Sequence, residues 1–210
     1  ITASAVNHSG ATYPRTYPSP QAQAEVIAAA HRRAEVPVDT VNYVEAHGTG
    51  TALGDPIEVR GLVKAFALPT ADERAAPQAY CALGSVKSNI GHLEAAAGIS
   101  GVTKVLLQMR HQTLVPTLHS AQPSEWLDLT GSPFYLPQQA TPWLPGQNKL
   151  AAISGFGAGG ANAHLLLQSV ELPRRTGPAP ESCLILLSAA SAAQLLELAA
   201  ALQACLLPQQ

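Results

Sequence analysis

"VEAHGTGTALGDPIEV", residues 44–59, decides how this chain is read. The apolar run that leads into it, "TVNYVEAH", reads as a strand over residues 40–47, with His47 at its end. Gly48 and Gly50 let the chain turn sharply and let a ligand approach the backbone. Thr49 and Thr51 place two hydroxyls on one side of an extended segment, suited to the amides of a linear ligand. Asp55 is expected to cap the next helix, with Pro56 at its first position and Glu58 at its third, a capping box in Asp/Glu form. Val59, Leu62, Val63 and Phe66 give that helix its apolar stripe. A strand, a glycine-rich turn and a helix thus hold an imidazole at a strand end. Taken alone, the stretch is equally a turn with a satisfied histidine.

The pattern continues on both sides. Residues 1–7 alternate loosely before the turn-rich tract "NHSGATYPRTYPSP". Ser19-Pro20 starts a helix that runs to about Ala34, with Ala22, Val26, Ile27 and Ala30 on one side. After the polar loop "LPTADERAAPQ" comes the strand "AYCALGSV". "KSNIGH" then leads into a long helix to about Arg110, whose early Ala and Gly residues predict close packing against another backbone. Residues 116–150 carry six prolines and read as irregular, with one short strand near "FYLP". "LAAISGFG" and "NAHLLLQSV" are expected to be neighbouring strands joined by a glycine-rich turn. "ELPRRTGPAPES" reads as a linker, "CLILLS" as a last strand, and the leucine-rich tail as an amphipathic helix capped by Ser191 with Gln194 three residues on. Strands alternating with helices argue for a layered α/β fold.

Composition narrows the function. The 210 residues are 47% hydrophobic and 12% charged, as in a tightly packed molecule or part of a larger one. A net charge of -2 offers no basic face for nucleic acid. Cys81, Cys183 and Cys205 are odd in number and widely spaced, which forms neither a metal motif nor a disulfide framework and fits a reducing, cytoplasmic setting. The opening "ITASAVNHSG" has no initiator Met and no leader pattern, and reads as the middle of something. Residues 183–207 have the length of a membrane span, but Gln194, Glu197 and Gln203 interrupt them, so no membrane segment is expected.

Two further loops stand at the ends of apolar runs. In "KSNIGH", Lys87 and His92 precede the long helix; an imidazole near a helix N-terminus favours its neutral form and can donate to a developing oxyanion. A helix cap with a solvated lysine is the plain alternative. In "GFGAGGANAH", Phe156 stands between two glycines and can swing, whereas His164 lies in a strand and reads as structural. The loop precedes a strand and lacks a P-loop Lys-Ser/Thr, which argues against nucleotide binding. His8, His31, His111 and His119 have loop or helix-surface contexts; no HExxH or paired Cys points to a metal. Two histidines aimed at one oxyanion suit acyl transfer or carbon–carbon bond formation on a thioester. Both need a nucleophile, and none of the three cysteines suits it: Cys81 lies in a buried strand, Cys183 and Cys205 in the tail.

"VEAHGTGTALGDPIEV", "LGSVKSNIGHLEAAAGISGVTKV" and "ISGFGAGGANAH", in this order and with "SAVNHSG…PSPQAQAEVI" ahead of them, closely resemble the β-ketoacyl synthase domains of modular polyketide synthases. The resemblance covers about residues 1–170 and implies a thiolase-like, layered α-β-α-β-α fold made of two βαβαβαββ halves. It identifies residues 1–171 as the C-terminal half, with 1–10 as the last strand of the N-terminal half, 172–182 as a linker and 183–210 as the start of a post-ketosynthase linker subdomain. The family's nucleophilic Cys, in a D-T-A-C-S-S type motif, is absent here and would come from the N-terminal half. The resemblance further implies that His47 and His92 stabilise the enolate formed when a malonyl-type extender on an acyl carrier protein is decarboxylated. Lys87 would orient the histidines, Thr49 and Thr51 would hold the phosphopantetheine arm, and Phe156 would gate the pocket with Gly157 as hinge or backbone donor. No cofactor would be bound directly, and the complete domain is expected to be a homodimer. "SGFG" departs from the commoner "SSFG" or "NSFG" at Gly155. A non-elongating ketosynthase-like domain that binds or passes acyl chains, and a structural docking fragment, are the other readings.

Overall fold

The computed structural model describes residues 1–10, 17–67, 79–143, 149–170 and 184–206. It divides into two units, Ile1–Val170 and Glu171–Gln210. The first runs β1 (Ala3–His8), α1 (Pro20–Ala34), β2 (Tyr43–Glu45), α2 (Gly54–Phe66), β3 (Cys81–Gly84), α3 (Lys87–Ile90), α4 (Ala97–His111), β4 (Thr113–Leu114), β5 (Phe134–Tyr135), β6 (Thr141–Pro142), β7 (Leu150–Phe156) and β8 (Ala161–Gln168), with 3-10 turns at Val38–Thr40 and Glu94–Ala96. Helix α5 (Ala192–Leu206) belongs to the second unit.

Six strands form one mixed sheet in the order β1-β8-β7-β2-β3-β5. The β7–β8 hairpin and the β8–β1 pair are antiparallel; β7–β2, β2–β3 and β3–β5 are parallel. Side chains alternate strictly across this sheet. Val44, Leu83, Ala152 and Leu166 join Val26, Ile27 and Leu62 of α1 and α2 in one core. Their neighbours Tyr43, Ala82, Ala151 and Leu167 face Val105 of α4 in the other. This period of two is what a sheet covered by helices on both faces requires. A small antiparallel pair, β4 with β6, lies apart from the main sheet.

Helix α1 starts as expected: the Ser19 hydroxyl accepts the Ala22 N–H at 3.2 Å, with Pro20 at the first turn. Helix α2 does not. It begins at Gly54, Leu53 occupies the cap position, and no side chain caps it. Asp55 and Glu58, expected to cap the helix, face back into the glycine-rich loop, where unpaired backbone N–H groups need acceptors more. The single long helix expected after "KSNIGH" is also broken. The four residues of α3 end at Gly91, whose φ of +72° reverses the chain, and a 3-10 turn precedes α4. His92 therefore stands in a turn between helices rather than at the N-terminus of α4. The small residues of α4 only partly pack closely: a Cβ on Gly101 would lie 3.1 Å from Glu45, whereas Gly98 faces open space. The strand expected at 40–47 shortens to Tyr43–Glu45, because a 3-10 turn precedes it and the loop leaves after it.

His31 is a further correction. Placed by sequence on a helix surface, it is buried on the same face of α1 as Ile27, with Nδ1 3.0 Å from the Val36 carbonyl oxygen and its ring edge-on to Phe66. His164 is structural: it is buried in β8, bonded to the Ser154 hydroxyl at 3.1 Å, and burial pushes its pKa down to about 3. In the second unit, residues 184–189 form no strand; α5 starts where Ser191 Oγ accepts the Gln194 N–H at 3.3 Å. The expected loops at 11–16 and 68–78, Cys183 and the linker at 172–182 lie outside the described residues. Among the described residues no helix is long and apolar enough to cross a membrane.

The outer side of α3 and α4 is apolar and uncovered. Ile90, Leu93, Leu106 and Leu107 are exposed, and Ile99 is 65% exposed. Large exposed apolar side chains in this number promote association. Expressed alone, the chain should elute from size exclusion ahead of a monomer and bind an apolar dye; a monodisperse, dye-negative monomer would contradict this.

Candidate active site

The loop after β2 is shaped by its backbone. Gly48 has a φ of +50°, and a Cβ there would lie 2.7 Å from Ser85 Cβ, so only glycine fits. The N–H groups of His47 and Gly48 donate to the two oxygens of one carboxylate, Glu58, at 2.7 and 2.8 Å. Asp55 Oδ1 accepts from Gly50 N–H at 3.0 Å. The loop is thus held from α2, eleven residues downstream of His47. Glu58 is 5% exposed, and burial pushes its pKa up to about 7 despite the two amide donors.

The second loop is laced onto the first. Lys87 Nζ donates to the carbonyl oxygen of His47, and Ser85 Oγ donates to that of Gly48 at 3.3 Å. Desolvation lowers the Lys87 pKa, opposed by the nearby carboxylates of Glu58, Glu45 and Asp55. At the far end of this loop, the Glu94 N–H donates to His92 Nδ1 at 2.9 Å. With Nδ1 accepting, the proton of the neutral ring sits on Nε2, which is then a donor.

The rings of His47 and His92 come together with centroids 5.4 Å apart and planes at 83°. Phe156 closes on His47 from the end of β7 at 5.8 Å. Burial, then the charge of Lys87, then His92 push the His47 pKa down to about 4, so its ring is neutral at neutral pH. The hydroxyls of Thr49 and Thr51 lie 3.2 Å apart. His47, Thr49, Thr51, His92, Phe156 and Gly157 all line one cavity of about 770 Å³. Lys87 does not; it lines an adjoining cavity of about 600 Å³, which shares Thr49 and Thr51 with the first, and its ammonium bonds to the His47 backbone. Gly157 spends its N–H on the Ala161 carbonyl oxygen at 2.7 Å, so in this conformation it is not a free backbone donor.

Sequence reasoning misses three contributors. Glu58 fits a helix-cap pattern; its spacing from His47 is the signal that points to the loop instead. Glu45, buried next to the loop, lies within the 44–59 stretch but reads there only as a strand residue. His8, read as a loop residue, is the last residue of β1 and clasps the turn after Phe156: Nδ1 accepts from Gly10 N–H and Nε2 donates to the Gly159 carbonyl oxygen, both at 2.9 Å. Cys81 is buried in β3, with its thiol pKa raised by burial, and Cys205 lies on α5. Cys81 does not line the cavity. Among the described residues no group of three or more His, Cys, Asp or Glu side chains is placed to hold a metal. The arrangement can polarise a carbonyl by two imidazole N–H donors in a pocket partly shielded from water.

A family model described as the C-terminal domain of β-ketoacyl synthase matches residues 1–121. Polyketide synthase PksM of Bacillus subtilis is 49% identical over 178 residues, covering 80% of this chain and 4% of PksM. Polyketide synthase ThaG of Burkholderia thailandensis is 48% identical over an alignment of 219 residues, covering 95% of this chain and 4% of ThaG. The chain therefore spans a small fraction of the length of these relatives. Among solved structures, the ketosynthase from module 6 of the Bacillus subtilis bacillaene synthase superposes with a TM-score of 0.80 at 38% identity, covering 98% of this chain and 35% of that one. The oxazolomycin ketosynthase domain of Streptomyces albus JA3453 gives 0.73 at 47% identity, covering 82% and 30%. These neighbours have the thiolase-like fold, and this chain has the architecture of its C-terminal half.

Two outcomes follow from the electrostatics. His47, depressed from 6.5 to about 4, should titrate near pH 4 by histidine NMR, and a midpoint near 6.5 would contradict its burial. Its folded pKa lies below the unfolded value, so its contribution to stability is present above about pH 6.5 and lost as pH falls towards 4. Glu58 runs the other way: its folded pKa of about 7 exceeds 4.5, so its contribution is present below 4.5 and lost as pH rises through 7. Glu58→Gln should flatten that alkaline loss in urea titrations. At low pH it should still cost about 1–3 kcal/mol, because the amide nitrogen cannot accept and one loop N–H is orphaned.

Proposed function

The chain belongs to the β-ketoacyl synthase family as its C-terminal domain, and on that premise we propose that it forms the histidine-bearing half of a polyketide synthase ketosynthase that performs decarboxylative Claisen condensation. The acyl chain is held as a thioester on a cysteine of the N-terminal half. A malonyl-type extender enters on the phosphopantetheine arm of an acyl carrier protein. Loss of carbon dioxide leaves its electron pair on the α-carbon, delocalised onto the thioester oxygen. His47 and His92 donate to that oxygen, worth a factor of about 10²–10³ in rate per donor. The α-carbon then attacks the acyl-cysteine carbonyl, and the thiolate leaves with its electron pair.

The observation that carries this reading is the 5.4 Å approach of two imidazoles over one cavity that also holds Phe156 and the threonine pair. A ring already neutral at neutral pH donates without first losing a proton. Thr49 and Thr51 hold the arm, and Phe156 gates the acyl side with Gly157 as its hinge. Lys87 fixes the His47 backbone and so orients the ring. The chain uses no directly bound cofactor. The exposed faces of α3 and α4 meet the N-terminal half, and the complete domain is a homodimer. Residues 172–182 serve as a linker, and 183–210 begin the post-ketosynthase subdomain.

With the N-terminal half present, a malonyl carrier protein should release carbon dioxide and yield the extended β-ketoacyl product. His47→Ala and His92→Ala should each lower release about a hundredfold or more while leaving cysteine acylation largely intact. Acyl transfer without release by the unmodified protein would instead identify a non-elongating, gatekeeping domain.

A further inference from the structure

Glu45 lies two residues ahead of His47 and is 2% exposed. A carboxylate so far from water needs donors on both oxygens. Oε2 accepts the Tyr43 hydroxyl at 2.6 Å and pairs with Lys104 Nζ of α4 at 3.0 Å. Oε1 accepts the main-chain N–H of Val86. Three elements meet at this side chain: β2, which leads into His47; the turn that opens α3 with Lys87; and α4, which follows the His92 turn.

Two glycines make room for the cluster. A Cβ on Gly101 would lie 3.1 Å from Glu45 Cγ; one on Gly84 would lie 2.6 Å from the Tyr43 hydroxyl and 3.2 Å from Lys104 Nζ. A buried ion pair is a poor device for stability alone, since an apolar pair of similar volume serves as well or better. What an apolar pair cannot do is accept the Val86 N–H. Val86 directly precedes Lys87, whose Nζ reaches the His47 carbonyl oxygen. A shift of Val86 therefore reaches both histidine loops.

Resting on the ketosynthase reading above, we infer that Glu45, neutralised by Lys104, is a positioning residue that sets the separation of the two imidazoles by pinning the start of the Lys87–His92 segment to the strand ending at His47. Lys104 satisfies the Glu45 charge, which leaves Lys87 to the His47 carbonyl.

The test uses the complete ketosynthase domain, both halves present, and two double variants. Glu45→Leu with Lys104→Met removes both charges and the acceptor for Val86. Glu45→Gln with Lys104→Met removes the charges but keeps an amide oxygen for Val86. In the Leu/Met variant, carbon dioxide release from malonyl carrier protein should fall about tenfold to a hundredfold, the scale of a small misplacement of catalytic groups. It should recover most of that loss in the Gln/Met variant, with cysteine acylation near wild type in both. Should the Leu/Met variant not fold, Glu45→Asp, one methylene shorter, takes its place with the same expected loss. Unchanged release in the variant lacking the acceptor, or release and acylation falling together, overturns the positioning role. A wild-type domain that acylates but releases no carbon dioxide overturns the ketosynthase reading instead. The ring resonances of His47 and His92 then decide the inference without turnover: displaced in the Leu/Met variant and restored in Gln/Met supports it, unmoved in both overturns it.

Discussion

One carboxylate holds the site in shape. Glu58 reaches from α2 to the N–H groups of His47 and Gly48, in a loop that has left the sheet and has no strand partner for those donors. Buried N–H groups without acceptors are costly, so the loop conformation and the side chain stand together. Tying this backbone down gives a loop tight enough that Gly48 rests on Ser85 with no space for a β-carbon. The second loop then fastens to the carbonyl side of the same two residues through Lys87 and Ser85. The imidazoles meet because their loops are bound together, and His92 keeps Nε2 for a further partner while Nδ1 accepts the Glu94 N–H.

This division of labour explains the polar residues in a chain with so little charge. Glu45 and Glu58 are both buried beside the two loops; Glu58 spends both oxygens on main-chain N–H groups of the His47 loop, and Glu45 spends one on the main-chain N–H that precedes Lys87. Their charges are met by separate lysines: Lys104 contacts Glu45, and Lys87 lies among Glu58, Asp55 and Glu45. The histidines stay out of these ion pairs. His47 is desolvated and close to a cation, which keeps its ring uncharged, and the turn of His92 commits Nδ1 to a backbone donor.

Much of this is legible in the residue order, because the signals are local. Two apolar runs about a glycine-rich turn mark the β7–β8 hairpin, Ser19-Pro20 marks the start of α1, and the three glycine-rich stretches lie at strand ends. His47, His92, Thr49, Thr51, Phe156 and Gly157 do line one cavity. What escapes is non-local. Asp55 and Glu58 satisfy a helix-start pattern but answer a stronger demand from the loop across from them. His31 looks exposed because α1 is amphipathic by composition, yet its turn of helix faces Phe66 and His164. Gly91 reads as part of a helix entry, although its positive φ ends one helix and permits the next turn. "CLILLS" has strand-like composition with no neighbouring strand to pair with among the described residues.

The pairing of β1 with β8 has a consequence for assembly. Residues 3–8 at the beginning of the first unit bond to residues 161–166 near its end, and His8 grips the turn after Phe156 across the same seam. Contacts of such wide sequence separation form late and slowly, after the loop-closure entropy of the intervening chain has been overcome. The β1–β8 seam, and with it the grip of His8 on the turn beside Phe156, therefore closes only after the end of the unit has left the ribosome.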